Sequence, residues 1–144
     1  MMKKALCLPL GICLLLGLCA CGADEGELET AWTVRQMAAV IWQAGAQASG
    51  TELLPEDGVY ETYLTANYGL EAGWVAEGAV WVAGGTSAQE TAVFRLTEDA
   101  DGAAAVEALQ AYLENRTGAF TGYLPEEAAL LENAAVVSRG AYVA

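Results

Sequence analysis

The stretch from Ala5 to Leu18 decides how much of this chain can take part in a fold. It carries no charge, follows the cationic start Met1-Met2-Lys3-Lys4, and contains Pro9 and Gly11. A hydrocarbon core of roughly 30 Å takes about 20 apolar residues to cross. The run is too short to span it. A basic start, a short apolar core and small residues behind it form the layout of an export signal, which is removed from the protein it directs. Residues 1–20 are therefore expected to leave, and the fold must be built from residue 21 onward.

Leu18-Cys19-Ala20-Cys21-Gly22 resembles the bacterial lipobox, in which an aliphatic residue and two small residues precede a cysteine that is acylated before cleavage on its N-terminal side. Leu18, Cys19 and Ala20 fill the first three positions, and Cys21 is the expected attachment point for lipid, palmitate included. Cys19 fits less well, because bulky Leu18 would stand where a small residue is needed. An ordinary secretory signal cut after Gly22 is the other reading, since Ala20 and Gly22 are both small. The cysteine's place directly between the apolar run and an acidic segment favours lipid. That reading anchors the chain to the cell membrane on its extracytoplasmic side.

The chain has 144 residues, with 6 Lys and Arg against 19 Asp and Glu, no His, and a formal charge of -13. Cleavage before Cys21 removes Lys3, Lys4, Cys7, Cys13 and Cys19, leaving one cysteine and four arginines (Arg35, Arg95, Arg116, Arg139) against all 19 acids. One cysteine forms no intramolecular disulfide. Serine and cysteine nucleophiles normally need His or Lys beside them. Zinc and copper sites are built mainly from His and Cys, and pyridoxal chemistry needs a lysine, so no cofactor is expected. The acidic balance also argues against nucleic acid, which is bound through cations that displace its counterions. A basic protein or a cationic peptide suits such a surface as partner.

Residues 21–30 are small and acidic (Asp24, Glu25, Glu27, Glu29) with no apolar periodicity, and they read as a tether of at most about 30 Å. Its charge opposes contact with an anionic lipid surface, so the domain is expected to stand off the membrane. Residues 31–144 form one domain. Thr33 and Gln36 resemble a capping box, and Val34, Met37, Ala38 and Ile41 recur at helical spacing with Ala44 and Ala48 continuing the stripe, giving a first helix that ends near Gly45. A loop then precedes a short helix over Tyr60, Tyr63, Leu64 and Tyr68, stopped by Gly69.

From Ala79 the pattern changes to alternation, with strands at 79–83 and 90–96 joined by a loop over 84–88. Ala92, Phe94 and Leu96 share one face of the second strand, and Thr91, Val93 and Arg95 the other. Asp101 caps a helix from Gly102 to about Arg116, with Val106, Leu109 and Leu113 inward. Pro125 opens a short acidic helix to Glu132, and a hairpin closes the sequence around Arg139-Gly140. Two hairpins with helices between them predict an α+β fold: a small antiparallel sheet with helices packed on one face.

Several segments, in order, resemble a group of bacterial, mostly Firmicute, lipoproteins known by the domain of unknown function 4358. They are Cys21-Gly22, Asn67-Tyr68-Gly69-Leu70, the run Thr86 to Phe94, the stretch Phe120 to Pro125, and the closing Val136 to Val143. Arg95 stands where similar strands tend to carry lysine. The resemblance implies an extracytoplasmic address and a domain shape, and it brings no reaction and no catalytic residues.

Asp99-Ala100-Asp101-Gly102 looks like part of a calcium loop, yet Ala103 and Gln110 stand where further oxygen ligands belong, which favours an N-cap. Glu56-Asp57 and Glu126-Glu127 are adjacent acids that point in different directions on a helix, so a structural use is favoured. Asn115-Arg116-Thr117 matches a glycosylation sequon, taken as chance in a bacterial chain. Trp32, Trp42, Trp74 and Trp81 could line a sugar-binding face, though space filling in an alanine-rich core is favoured for at least two. Glu90 opens the strand with the best family-like motif and is the acid to watch, the structural alternative being a cross-strand partner for an arginine. Altogether a non-catalytic, membrane-anchored binding or accessory module is expected. Carboxylate-only hydrolysis of a cell-envelope glycan and a calcium-responsive module are the alternatives.

Overall fold

Period-2 alternation over the middle of the chain sets the framework on which everything else packs. The computed structural model describes residues 32–45 and 49–144, so the expected signal segment, lipobox and tether lie outside the described residues. Helix α1 spans Val34–Gly45, strand β1 Gly50–Leu53, and α2 Tyr60–Thr62 runs directly into a π-helical turn at Tyr63–Asn67. Strands β2 (Val75–Ala83) and β3 (Glu90–Leu96) form the central hairpin. Helices α3 (Gly102–Thr121) and α4 (Pro125–Leu131) come next, and strands β4 (Ser138–Arg139) and β5 (Tyr142–Val143) close the fold. No helix among the described residues is long and apolar enough to cross a membrane.

All pairings are antiparallel, in the order β1-β2-β3-β5-β4. The hairpins expected at 79–96 and around Arg139-Gly140 are present, the second turning on Gly140 at φ 56. Strand β1 departs from the expected loop. Gly50-Thr51-Glu52-Leu53 has little apolar alternation, and it becomes a strand because its backbone finds the free edge of β2, with Leu53 opposite Val80.

Helices cover both faces of the sheet, which corrects the expectation of one covered face. On one face Val80, Phe94 and Val143 are buried with Leu53, Leu64, Tyr68, Ala105 and Leu109. On the other, Ala79 and Val93 are buried against Val34 and Ala38 of α1, and Trp42 stacks on Trp81 with ring centroids 5.8 Å apart. Val93 therefore points into a second core. The alternation across β3 is as expected, but both of its faces are apolar enough to need a cover.

The buried stripe of α1 is Val34, Ala38 and Trp42, rotated from the expected one. Ile41 is 47% exposed, because a tryptophan buries more area than an isoleucine and the helix turns to bring Trp42 onto Trp81. The Thr33 and Gln36 capping contacts form as expected, with Gln36 N donating to Thr33 Oγ1 and Thr33 N donating to Gln36 Oε1. Helix α3 runs five residues beyond Arg116 to Thr121, and Asp101 Oδ1 caps it by accepting from Ala103 N and Ala104 N.

Candidate functional site

Successive residues of β3 point to opposite faces, so Glu90 and Ala92 lie on the same side as Phe94, the side covered by α3. The long helix brings Tyr112 and Arg116, one turn apart, over that side. The π turn supplies the third partner. Its backbone closes with Tyr68 N donating to Tyr63 O, and Gly69 at φ 69 ends it, which sets the Tyr68 ring edge-on to both Phe94 and Tyr112.

These placements converge on Glu90. The Tyr68 hydroxyl donates to Glu90 Oε1 at 2.7 Å, and the Tyr112 hydroxyl lies 2.9 Å from Oε1 and 3.0 Å from Oε2. Arg116 Nη2 stands 3.7 Å from Oε2 and donates to the Ala88 carbonyl at 3.4 Å. The guanidinium is held between two rings, 5.4 Å from the Phe120 centroid and 5.9 Å from that of Tyr112, and its buried Nε has no hydrogen-bond partner. The Glu90 side chain is 10% exposed. A carboxylate so nearly buried needs its charge met.

The electrostatics keep the phenols protonated. Burial pushes the Tyr68 and Tyr112 hydroxyls well above their ordinary range, and the Glu90 charge raises both further. Both therefore act as donors to the carboxylate rather than as bases. One loop is fixed by a second acid. Glu127 of α4 accepts from Ala88 N at 2.6 Å and from Ser87 Oγ at 3.3 Å, so it does more than complement its own helix dipole.

Beside Glu90 lies a cleft of about 110 Å³, walled by Leu109, Leu113, Leu131 and Val136, with Ala92 at its base and Tyr112 and Arg116 on its polar side. Among the described residues that line it, Glu90 is the one carboxylate side chain. The pair of facing acids that glycan cleavage requires is not assembled there. A small apolar hollow with a few convergent polar groups has the character of a binding site.

Glu90 does meet an arginine, but the partner is Arg116 on α3 rather than a neighbour across the sheet, where Val82 stands opposite it. The cross-strand ion pair is made instead by Arg95 and Glu77. Asp101 is the N-cap of α3, and Asp57 closes a turn by accepting from Leu54 N at 2.7 Å. Among the described residues no three ligating side chains gather into a metal-sized cluster. Thr117 of the sequon donates to the Leu113 carbonyl within α3. Trp42 and Trp81 pack on each other, Trp74 joins the larger core, and Trp32 is 52% exposed. Leu18, Cys19, Ala20 and Cys21 lie outside the described residues.

Sequence reasoning does not single out Tyr68, Tyr112 or Arg116 as site residues. A signal exists in α3. Tyr112 and Arg116 are four apart and border the Leu109 and Leu113 stripe, so a cation and a phenol flank a face already known to point inward. Nothing in the sequence ties Tyr68 to Glu90, since that contact depends on a π turn.

A family model described as "Domain of unknown function (DUF4358)" matches residues 51–144. The match runs from the second residue of β1 through β5 and includes every residue of the Glu90 cluster. No curated protein and no solved structure matches the chain.

Proposed function

The chain belongs to the DUF4358 family, and from that footing we propose that it is a lipid-anchored, extracytoplasmic binding or accessory module that works without catalysis, through the cleft beside Glu90. The observation that carries this reading is the state of Glu90. Both carboxylate oxygens are engaged, by two phenols and an arginine, which holds the acid as a hydrogen-bond acceptor on the polar side of a small apolar cleft. The lipobox ending at Cys21 and the acidic tether behind it support the anchor. The strongly acidic surface supports a basic protein or a cationic peptide as partner.

Growth of cells with labelled palmitate tests the anchor. The full chain should take up label and sediment with membranes, and a Cys21→Ser variant should do neither. An unlabelled parent chain would overturn the anchoring.

A further inference from the structure

Charge is sorted across the sheet. Residues 30–51, which include α1, hold no Asp or Glu and one cation, Arg35. Residues directly opposite one another on paired strands send their side chains to the same face. Arg95 stands opposite Tyr142, and Tyr142 opposite Arg139, while Tyr142 packs with the core under α1. Three of the four arginines in residues 21–144 therefore lie on the α1 side: Arg35, Arg95 and Arg139. The carboxylates that the described strands place there are Glu52, opposite Trp81, and Glu77, opposite Arg95. Each is already taken, Glu52 by Arg35 and Glu77 by Arg95. Arg139 is exposed and makes no ion pair among the described residues.

The same side shows apolar surface. Val40 and Ile41 of α1 are each 47% exposed. This helix is also the first element after the tether, since Cys21 precedes Val34 by 13 residues, a span of at most about 45 Å. We propose that α1 rests on the lipid bilayer in which Cys21 is anchored, with Val40 and Ile41 entering the headgroup boundary and the arginines of this side turned toward anionic headgroups. The proposal rests on the lipid-anchor reading and adds the orientation of the domain. Summed over the chain, charge opposes such a surface, but α3 and α4, with Glu107, Glu114, Glu126 and Glu127, lie across the sheet from α1. A helix alone is about 10–12 Å across. That exceeds the Debye length of about 8 Å, so those acids are screened from a surface that touches α1. Glu56 and Asp57 bound the face on its β1 side, within electrostatic reach of Arg35. Shallow entry of one helix face is how interfacial helices bind, and a tether makes weak contact sufficient, because docking is then intramolecular. The stand-off expected from total charge gives way to contact through one face. The cleft beside Glu90 opens on the other side of the sheet, away from the bilayer, where a partner can reach it.

Lipidated protein purified from membranes tests this. Acylation blocks Cys21, so Gln43→Cys on the exposed side of α1 carries the one free thiol for a fluorophore, and Glu107→Cys on the outer face of α3 is the control. The protein is placed in phosphatidylcholine vesicles with about 30% phosphatidylglycerol and a phospholipid bearing a nitroxide near its headgroup. Quenching at position 43 should exceed that at 107 at least about threefold. It should fall toward the control when phosphatidylglycerol is left out, in Arg139→Glu, and in the double variant Val40→Glu with Ile41→Glu, all three positions being exposed. Equal quenching at 43 and 107, or quenching at 43 indifferent to lipid charge or to either variant, would overturn the docking. Energy transfer between copies labelled at 43 without lipid quenching would also overturn it, by assigning the face to a second copy. Palmitate labelling reports the anchor independently, so failure of the docking is separable from failure of the anchor.

Discussion

The Tyr68 hydroxyl and Glu90 Oε1 are 2.7 Å apart, which joins the end of a π turn to the first residue of β3 beneath α3. Hydrogen bonds to charged groups contribute about 1.5–3 kcal/mol, more than neutral ones. Tyr68→Phe should lower stability by about that amount in urea unfolding, with the slope of the transition unchanged.

Tyr60→Phe should behave in the opposite way. The Tyr60 hydroxyl is buried with no hydrogen-bond partner, so its removal relieves a desolvation cost and breaks no bond. Stability is expected to stay level or rise by up to about 1 kcal/mol, and a loss comparable to that of Tyr68→Phe would refute the assignment.

Gly78 is where Tyr60 meets the sheet. A methyl group there would overlap the Tyr60 hydroxyl and crowd the Phe94 ring, so Gly78→Ala should cost about 1–3 kcal/mol through overpacking. Adding Tyr60→Phe removes the nearest atom of that clash. The double variant should regain part of the loss, and strictly additive effects would contradict the contact.

Alkaline titration separates these phenols from the rest of the molecule. Burial holds Tyr60 up to about 12 and raises Tyr68 and Tyr112 further, helped by Glu90, whereas an unfolded phenol ionises near about 10. A group that keeps its proton longer in the fold contributes stability that is whole below the unfolded value and is lost as pH rises through the folded one. The urea midpoint should therefore begin to fall above pH about 10 and continue falling through pH about 12. Tyr60→Phe should make the fall shallower, and an identical profile would argue against burial of that hydroxyl.

Elements are legible in the sequence wherever one residue type dominates a period. The Thr33–Gln36 cap, the Asp101 cap and the alternation of β3 all arise from local chemistry, and all are present. The features that escape it depend on partners distant in the chain. Strand β1 exists because β2 offers an edge, and α1 rotates because Trp42 finds Trp81. Glu90 opens β3 as the alternation places it, yet its partners come from a π turn and from a helix more than twenty residues on. Short-range periodicity fixes neither.

The most direct test is site-specific photocrosslinking in intact cells from a photoreactive residue at Ala135, on the rim of the cleft, against the same residue at Glu107, on the outer face of α3. A discrete membrane-associated product is expected from position 135, none from 107, and loss of the product when Cys21→Ser is added. Equal products from both positions, or none from 135, would contradict a module that works through this cleft.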